Sequence, residues 1–200
     1  LEKAYEVCNT GRPGPVFLDI PADLQNALID PKKLKKFVIK NKKNKFKNNN
    51  KTKLLKIVEQ LKKAKKPLIH LGHGVRLSGG KEIVKKFFDK FSIPFVCTWN
   101  ADDLINSDHP MYFGRPGAFG ERGSNFIIQN CDLYLAIGTR LPFMVTGYNS
   151  KDFARKAKKI MIDVDPKEIN NSNIDLNEKI CCDAKYFLEK LFKFLSNKIN

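Results

Sequence analysis

A chain of 200 residues with 42% hydrophobic content can bury a sizeable core without staples. Its five cysteines are odd in number and show no paired CxxC spacing, which argues against a disulfide framework or a zinc site and for a reducing setting. The net charge of +16 is nearly all lysine, with no basic run interleaved with stacking aromatics, so neither nucleic acid nor a membrane is the expected partner; no apolar run of about 18 residues suggests a span, and no leader suggests secretion.

Leu1 to Cys8 reads as the end of a helix and the first residue is not Met, so the chain is expected to start in mid-protein. Residues 12 to 23 predict a Pro/Gly turn followed by one short buried strand, Val16 to Ile20, that stops at Pro21. One strand cannot make a domain, so residues 1–29 are expected to be the end of a preceding α/β domain. Residues 30–52 are polar and lysine-rich and read as a linker, with Asn41 to Asn50 the part least able to pack. A second domain is expected over 53–200.

In that domain Leu54, Leu55, Val58 and Leu61 repeat at helical spacing ahead of Pro67. Pro67 to Leu71 predicts a strand ending at Gly72, Ser78 a cap for a helix reaching about Phe91, and Phe95 to Thr98 a second strand. A weaker strand at Met111 to Phe113 precedes a helix at Gly123 to Asn130 and a strand at Leu133 to Ile137. A helix at Ser150 to Lys156, strands at Lys159 to Val164 and Lys179 to Cys182, and a closing helix at Ala184 to Leu195 complete the pattern. Strands apolar on both faces and separated by helices predict an α/β fold: a doubly wound, Rossmann-like parallel sheet of about six strands.

In such a sheet ligands lie beyond the carboxyl ends of the strands, so the residues after each strand are the candidates. They are Gly72-His73-Gly74, Thr98-Trp99, Gly138-Thr139-Arg140, Asp163-Val164 and Asp183-Ala184, together with the loop holding Gly114, Gly117, Ala118, Phe119 and Gly120. Strand-end glycines admit a phosphate to backbone N–H groups, or else simply form a tight turn, since position 77 is Leu where a dinucleotide fingerprint has its third glycine. Arg115, Arg122 and Arg140 are candidate planar anion donors, with surface ion pairing the alternative for Arg115 and Arg122. Asp163 is placed to accept ribose hydroxyls; Asp165, just before Pro166, reads as a cap for a short helix at Lys167 to Asn170, and Asp183 begins the last helix, where capping alone explains it. His73 can meet a ligand at a strand end, whereas His70 reads as core and His109 as a loop residue. No nucleophile triad, metal cluster or carboxylate pair is visible, so no catalytic residue is expected here.

Gly11-Arg12-Pro13-Gly14-Pro15-Val16 through Asp23 resembles the segment that closes the first domain of the acetolactate synthase family. Gly114 to Asn125 is similar to that family's flavin loop. Ala136 to Arg140, Val145-Thr146-Gly147, Phe153-Ala154-Arg155 and Ile162-Asp163-Val164-Asp165-Pro166 follow its order and spacing. Phe119, Pro142, Phe143 and Met144 depart from it, at positions where the family has a histidine, two acids and an arginine.

The resemblance implies a central domain that binds FAD, or in relatives ADP or coenzyme A, without redox use. The candidates above would line that cofactor: Gly72, Gly74, Thr98 and Trp99 near the nucleotide, Gly117 to Phe119 at its middle, Gly138 and Arg140 at the phosphates or ribityl chain, and Asp163, Val164, Asp183 and Ala184 at the adenosine end. It further implies a longer thiamine-diphosphate and Mg²⁺ enzyme that decarboxylates pyruvate or a similar 2-oxo acid and forms a carbon–carbon bond, as in branched-chain amino acid biosynthesis. Its partners would be the flanking domains of the same polypeptide in a homodimer or homotetramer, in the cytoplasm or an organelle matrix. The other readings are another thiamine-diphosphate 2-oxo acid decarboxylase or acyl-CoA lyase whose central domain binds ADP or coenzyme A, an independent NAD-linked domain of the same fold, and a scaffolding module whose nucleotide site has decayed.

Overall fold

The computed structural model describes residues 1–38 and 51–197, and the chain divides into two compact units, Leu1–Lys45 and Phe46–Asn200. In the first, helix α1 (Glu2–Asn9) and the single turn α2 (Ala22–Gln25) bury no residue. The strand expected at Val16 to Ile20 does not form: the segment pairs with no strand among the described residues, and Phe17 stands 89% exposed. An apolar run becomes a strand only when a partner supplies its hydrogen bonds, and the described residues of this unit contain none. Of the expected linker, 30–38 is exposed apart from a half-buried Phe37; Asn41 to Asn50 lies outside the described residues.

The second unit opens with helix α3 (Lys51–Lys63), followed by strand β1 (Pro67–Leu71), a short helix α4 (His73–Leu77) and helix α5 (Lys81–Lys90). Strand β2 (Phe95–Cys97) leads through a 3₁₀ turn at Trp99–Leu104 to helix α6 (Arg122–Asn130) and strand β3 (Leu133–Ile137). Helix turn α7 (Phe143–Thr146), strand β4 (Lys158–Asp163), α8 (Pro166–Asn170), β5 (Glu178–Cys181) and α9 (Ala184–Ser196) complete it. The sheet is wholly parallel in the order β2-β1-β3-β4-β5.

Alternation along each strand sends Ile69, Leu71, Leu135, Ile137, Ile160 and Ile162 to one face and Leu68, Tyr134, Ala136 and Met161 to the other. Both faces are covered, which is why the strands read as unbroken apolar runs. Helices α3, α5 and α9 cover the first face through Val58, Phe87 and Leu188; α6 and α8 cover the second through Ile128 and Ile169. The division follows from strand order. The chain steps from β1 to β2 in one direction and from β3 to β5 in the other, and right-handed crossovers running in opposite directions cover opposite faces. The order reverses between β1 and β3, and a doubly wound sheet opens its ligand crevice at such a reversal.

Three local expectations give way. Met111 to Phe113 forms a single bridge, with the Tyr112 residue opposite Phe95 and two backbone hydrogen bonds of 2.9 Å, before Gly114 turns the chain at a φ of 88°. The sheet therefore has five strands plus a bridge. Ser78 ends α4 instead of starting α5: its hydroxyl donates to the Val75 carbonyl at 2.7 Å, Gly79 turns left-handed, and Gly80 caps the next helix. The helix expected at Ser150 to Lys156 is one 3₁₀ turn, Ser150–Asp152, stopped by Phe153 and the left-handed Ala154.

Candidate functional site

Parallel pairing of β1 with β3 brings two turns separated by more than 60 residues into backbone contact. Gly72 N–H donates to the Ile137 carbonyl and Gly74 N–H to the Gly138 carbonyl, each at 2.9 Å, while Gly138 N–H donates to Ile162 at 2.8 Å. A methyl group on Gly72 would lie 2.2 Å from the Gly138 carbonyl oxygen, and one on Gly74 2.9 Å from Gly138 Cα. These glycines thus let the turns after β1 and β3 close on each other, and the amides that were candidates to hold a phosphate are spent on that closure. Thr139 is buried beside them, and Leu141 follows in the left-handed region with a φ of 50°. A buried non-glycine residue in that conformation costs about 1–3 kcal/mol and is held there by its surroundings.

The glycine-rich loop crosses the carboxyl edge from β2 to the β3–β4 connection. At one end Cys97 N–H donates to the Gly114 carbonyl at 3.2 Å; at the other Ala118 N–H donates to the Met144 carbonyl at 2.8 Å. Asn125, on α6, clips the middle by accepting from Gly117 N–H and donating to the Gly117 carbonyl, both at 2.9 Å. Gly120 is required because a methyl group there would meet the Arg115 carbonyl at 2.1 Å. The loop leaves Phe119 77% exposed and the neighbouring connection leaves Phe143 and Tyr148 exposed and stacked, with centroids 5.6 Å apart.

At the end of β2, Thr98 N–H donates to the Leu71 carbonyl at 2.9 Å, and His73 bonds through Nδ1 to the Asn100 carbonyl at 2.7 Å, tying the β1 and β2 lips together. Trp99 sits on that lip. Arg115 reaches it from the loop: its guanidinium lies 5.1 Å from the indole centroid, 3.0 Å from Glu121 and 3.4 Å from Asp102. Asp102 is held in turn by the Tyr112 hydroxyl, which donates to it at 2.5 Å. This network was not legible in the sequence, because its five members meet only when the loop folds back on the 3₁₀ turn.

On the far side of the reversal, Arg140 pairs with Glu168 at 2.7 Å and keeps most of its side chain exposed. Asp163 is buried at the end of β4 and accepts from Asp165 N–H at 2.9 Å. Asp165 and Asp183 are helix caps, accepting from Lys167 and Tyr186 N–H at 2.9 Å. Val164 and the buried Ala184 flank them. The candidates therefore fall into a central group at the β1/β3 reversal, a lip at β2 and a rim at β4 and β5.

Titratable groups nearby are set for structure. Burial pushes the Cys97, Cys131 and Cys182 thiols up to about 12, so each stays a neutral thiol. His70 is core, bonded through Nδ1 to the Tyr134 hydroxyl, and burial lowers its pKa to about 3. Among the described residues no cluster of His, Cys, Asp and Glu could hold a metal ion, and no helix is long and apolar enough to cross a membrane.

A family model described as the central domain of thiamine pyrophosphate enzymes matches residues 54–191. The chain belongs to the thiamine pyrophosphate enzyme family. Its matched part is the parallel-sheet unit that carries the crevice. Curated relatives of this thiamine pyrophosphate enzyme chain include a probable acetolactate synthase large subunit of Methanococcus aeolicus, 35% identical over the whole chain and 33% of the relative. Acetolactate synthase isozyme 2 large subunit of Escherichia coli is 34% identical over 85% of the chain and 30% of the relative. The Corynebacterium glutamicum acetolactate synthase large subunit is 33% identical over 96% and 30%. The chain spans about a third of the length of the curated relatives it matches.

Proposed function

We propose that this chain is the central part of an acetolactate synthase-type enzyme and that the crevice at the β1/β3 reversal holds FAD or a related adenine nucleotide. The observation that carries the reading is the reversal itself: Gly72, Gly74, Gly138 and Thr139 converge where a doubly wound sheet receives a nucleotide. The fit is best at the sugar end, where the buried Asp163 stands at a strand terminus with Val164, Asp183 and Ala184 beside it. At the diphosphate end the glycine amides are already bonded, so the charge would be met by the exposed Arg140 guanidinium together with the His73 end of α4. Trp99, Ala118 and Phe119 supply flat, apolar surface for a ring.

In the complete enzyme, thiamine diphosphate with Mg²⁺ would supply the electron sink for decarboxylating a 2-oxo acid such as pyruvate and joining it to a second carbonyl compound. This chain contributes the ordered central domain between the flanking domains, in a homodimer or homotetramer. A nucleotide-free spacer is the second reading, favoured by the engagement of all three glycine amides.

The test is to purify the full-length polypeptide, record its visible spectrum, titrate it with FAD and ADP, and assay acetolactate formation from pyruvate with thiamine diphosphate and Mg²⁺. A flavin spectrum and acetolactate are expected. A colourless protein that takes up neither nucleotide overturns the cofactor reading and leaves the spacer; absence of acetolactate with any 2-oxo acid overturns the reaction.

A further inference from the structure

We infer that Trp99 is a stacking platform for the planar ring of the bound nucleotide and that Arg115 is the positioning residue that fixes it from behind. The inference rests on the reading of the crevice as a nucleotide site, and deepens it by assigning a ring contact and the group that prepares it.

Trp99 is the chain's single tryptophan, and it stands 53% exposed at a strand end, where burial gives no reason for so large an apolar ring. One of its faces is covered by the Arg115 guanidinium, 5.1 Å from the ring centroid. A cation stacked on an indole at an exposed site is only weakly favourable, enough to bias the rotamer but too little to explain the arrangement by itself. What fixes the guanidinium is its other side. Glu121 Oε1 accepts from both Nε at 3.2 Å and Nη2 at 3.0 Å, which holds one edge of the planar group, while Oε2 accepts the Arg115 backbone N–H at 2.5 Å. Asp102, itself on the 3₁₀ turn that starts with Trp99, takes Nη1 at 3.4 Å and is anchored by Tyr112.

Arg115 is thus tied at once to the turn that bears the tryptophan and to the start of α6, and its plane is chosen by carboxylates before it meets the ring. Lysine, with a point charge and no plane, would reproduce the ion pairs but not the stack. With one face clamped, Trp99 offers its other face at the lip that His73 and Thr98 tie to the end of β1. A planar ring laid there finds a preorganised surface and is spared the entropy of ordering it. Adenine and isoalloxazine are both flat enough to use it, and separate titrations tell them apart.

The experiment is a double-mutant cycle in the full-length protein, with FAD and ADP as probes and with Trp99→Ala, Arg115→Met and the double variant, plus Arg115→Lys. The expected results are roughly tenfold weaker binding of one probe for Trp99→Ala, a weakening of a few-fold for Arg115→Met, and a double variant no weaker than Trp99→Ala alone. Arg115→Lys is expected to resemble Arg115→Met in affinity while keeping the wild-type thermal midpoint, which separates the stack from the ion pairs. Without nucleotide, acrylamide quenching of Trp99, taken as the difference from Trp99→Phe, should rise in Arg115→Met and in Arg115→Lys as the second face opens. Losses that add in the double variant, or full affinity in both Arg115 variants, overturn the positioning role while the nucleotide reading stands. Wild-type protein that binds neither probe overturns both.

Discussion

On one face of the sheet the buried core is apolar side chains with the Cys97 and Cys182 thiols among them: Val84, Phe87, Phe88, Leu188 and Leu191 from the covering helices close over Ile69, Leu135 and Ile160. On the other face the same strands bury His70, Tyr134 and Lys159, and the covering segments include the left-handed Leu141 and Ala154. Lys159 is held there by donating to the Phe153 carbonyl at 3.3 Å, within the connection that also supplies the loop beneath the glycine-rich crossing. The difference teaches where the domain keeps its margin. The first face is non-directional packing, whereas the second depends on partners for its buried polar groups; the loops of the crevice draw on both, with Val75, Ala101 and Leu104 in the first cluster and Leu141 and Val145 at the second.

Truncating the first face should give the largest effect. Phe87→Ala removes a fully buried ring that packs edge-on against Phe88 and is expected to cost about 3–5 kcal/mol in stability, read as a large drop in thermal midpoint with no change in its pH dependence. The second face should respond to acid instead. His70 has its folded pKa depressed to about 3 from 6.5, so between those values the unfolded chain binds the extra proton. Its contribution is complete above pH 6.5 and declines as pH falls towards 3, at up to about 1.4 kcal/mol per pH unit. His70→Leu should flatten that part of the stability profile; an unchanged slope would mean that the two faces do not differ in this respect. The smallest effect belongs to the rim. Arg140→Ala breaks a partly exposed ion pair with Glu168 and is expected to change stability by less than about 1 kcal/mol, while weakening nucleotide binding by a larger factor. Equal, small changes in both would remove Arg140 from the site.

The strands and their parallel arrangement were legible because burial on both faces leaves continuous apolar runs, as in Leu133 to Ile137. The points that failed are those at which backbone geometry outweighs side-chain preference. Ser78 is a good cap by type, but the two glycines after it break the helix first; Val16 to Ile20 is a good strand by composition, but a strand is a property of a pair. Candidate site residues at strand ends could be named from order alone, since topology puts them on one edge. What the glycines do there could not: the sequence allows either a phosphate cradle or a tight turn, and only the 2.2 Å separation between a methyl on Gly72 and the Gly138 carbonyl shows that they join two turns. The Arg115 stack and the His70–Tyr134 bond were hidden for the same reason, since each depends on which segments become neighbours in space.

The reversal of strand order also bears on when the crevice can exist. Its two halves, Gly72 to Gly74 and Gly138 to Thr139, lie on strands that are adjacent in the sheet but separated in the chain by a whole crossover, β2 and α6. Such a pairing closes a long loop before it gains any contact, and that entropy makes it slow relative to the β1–β2 unit. During synthesis the amino-terminal half can pair β1 with β2 while offering a ligand only the lip. The full crevice appears when β3 slots in on the opposite side of β1, so the nucleotide proposed for it, if it needs both halves, would bind late and would hold together the pairing most costly to form.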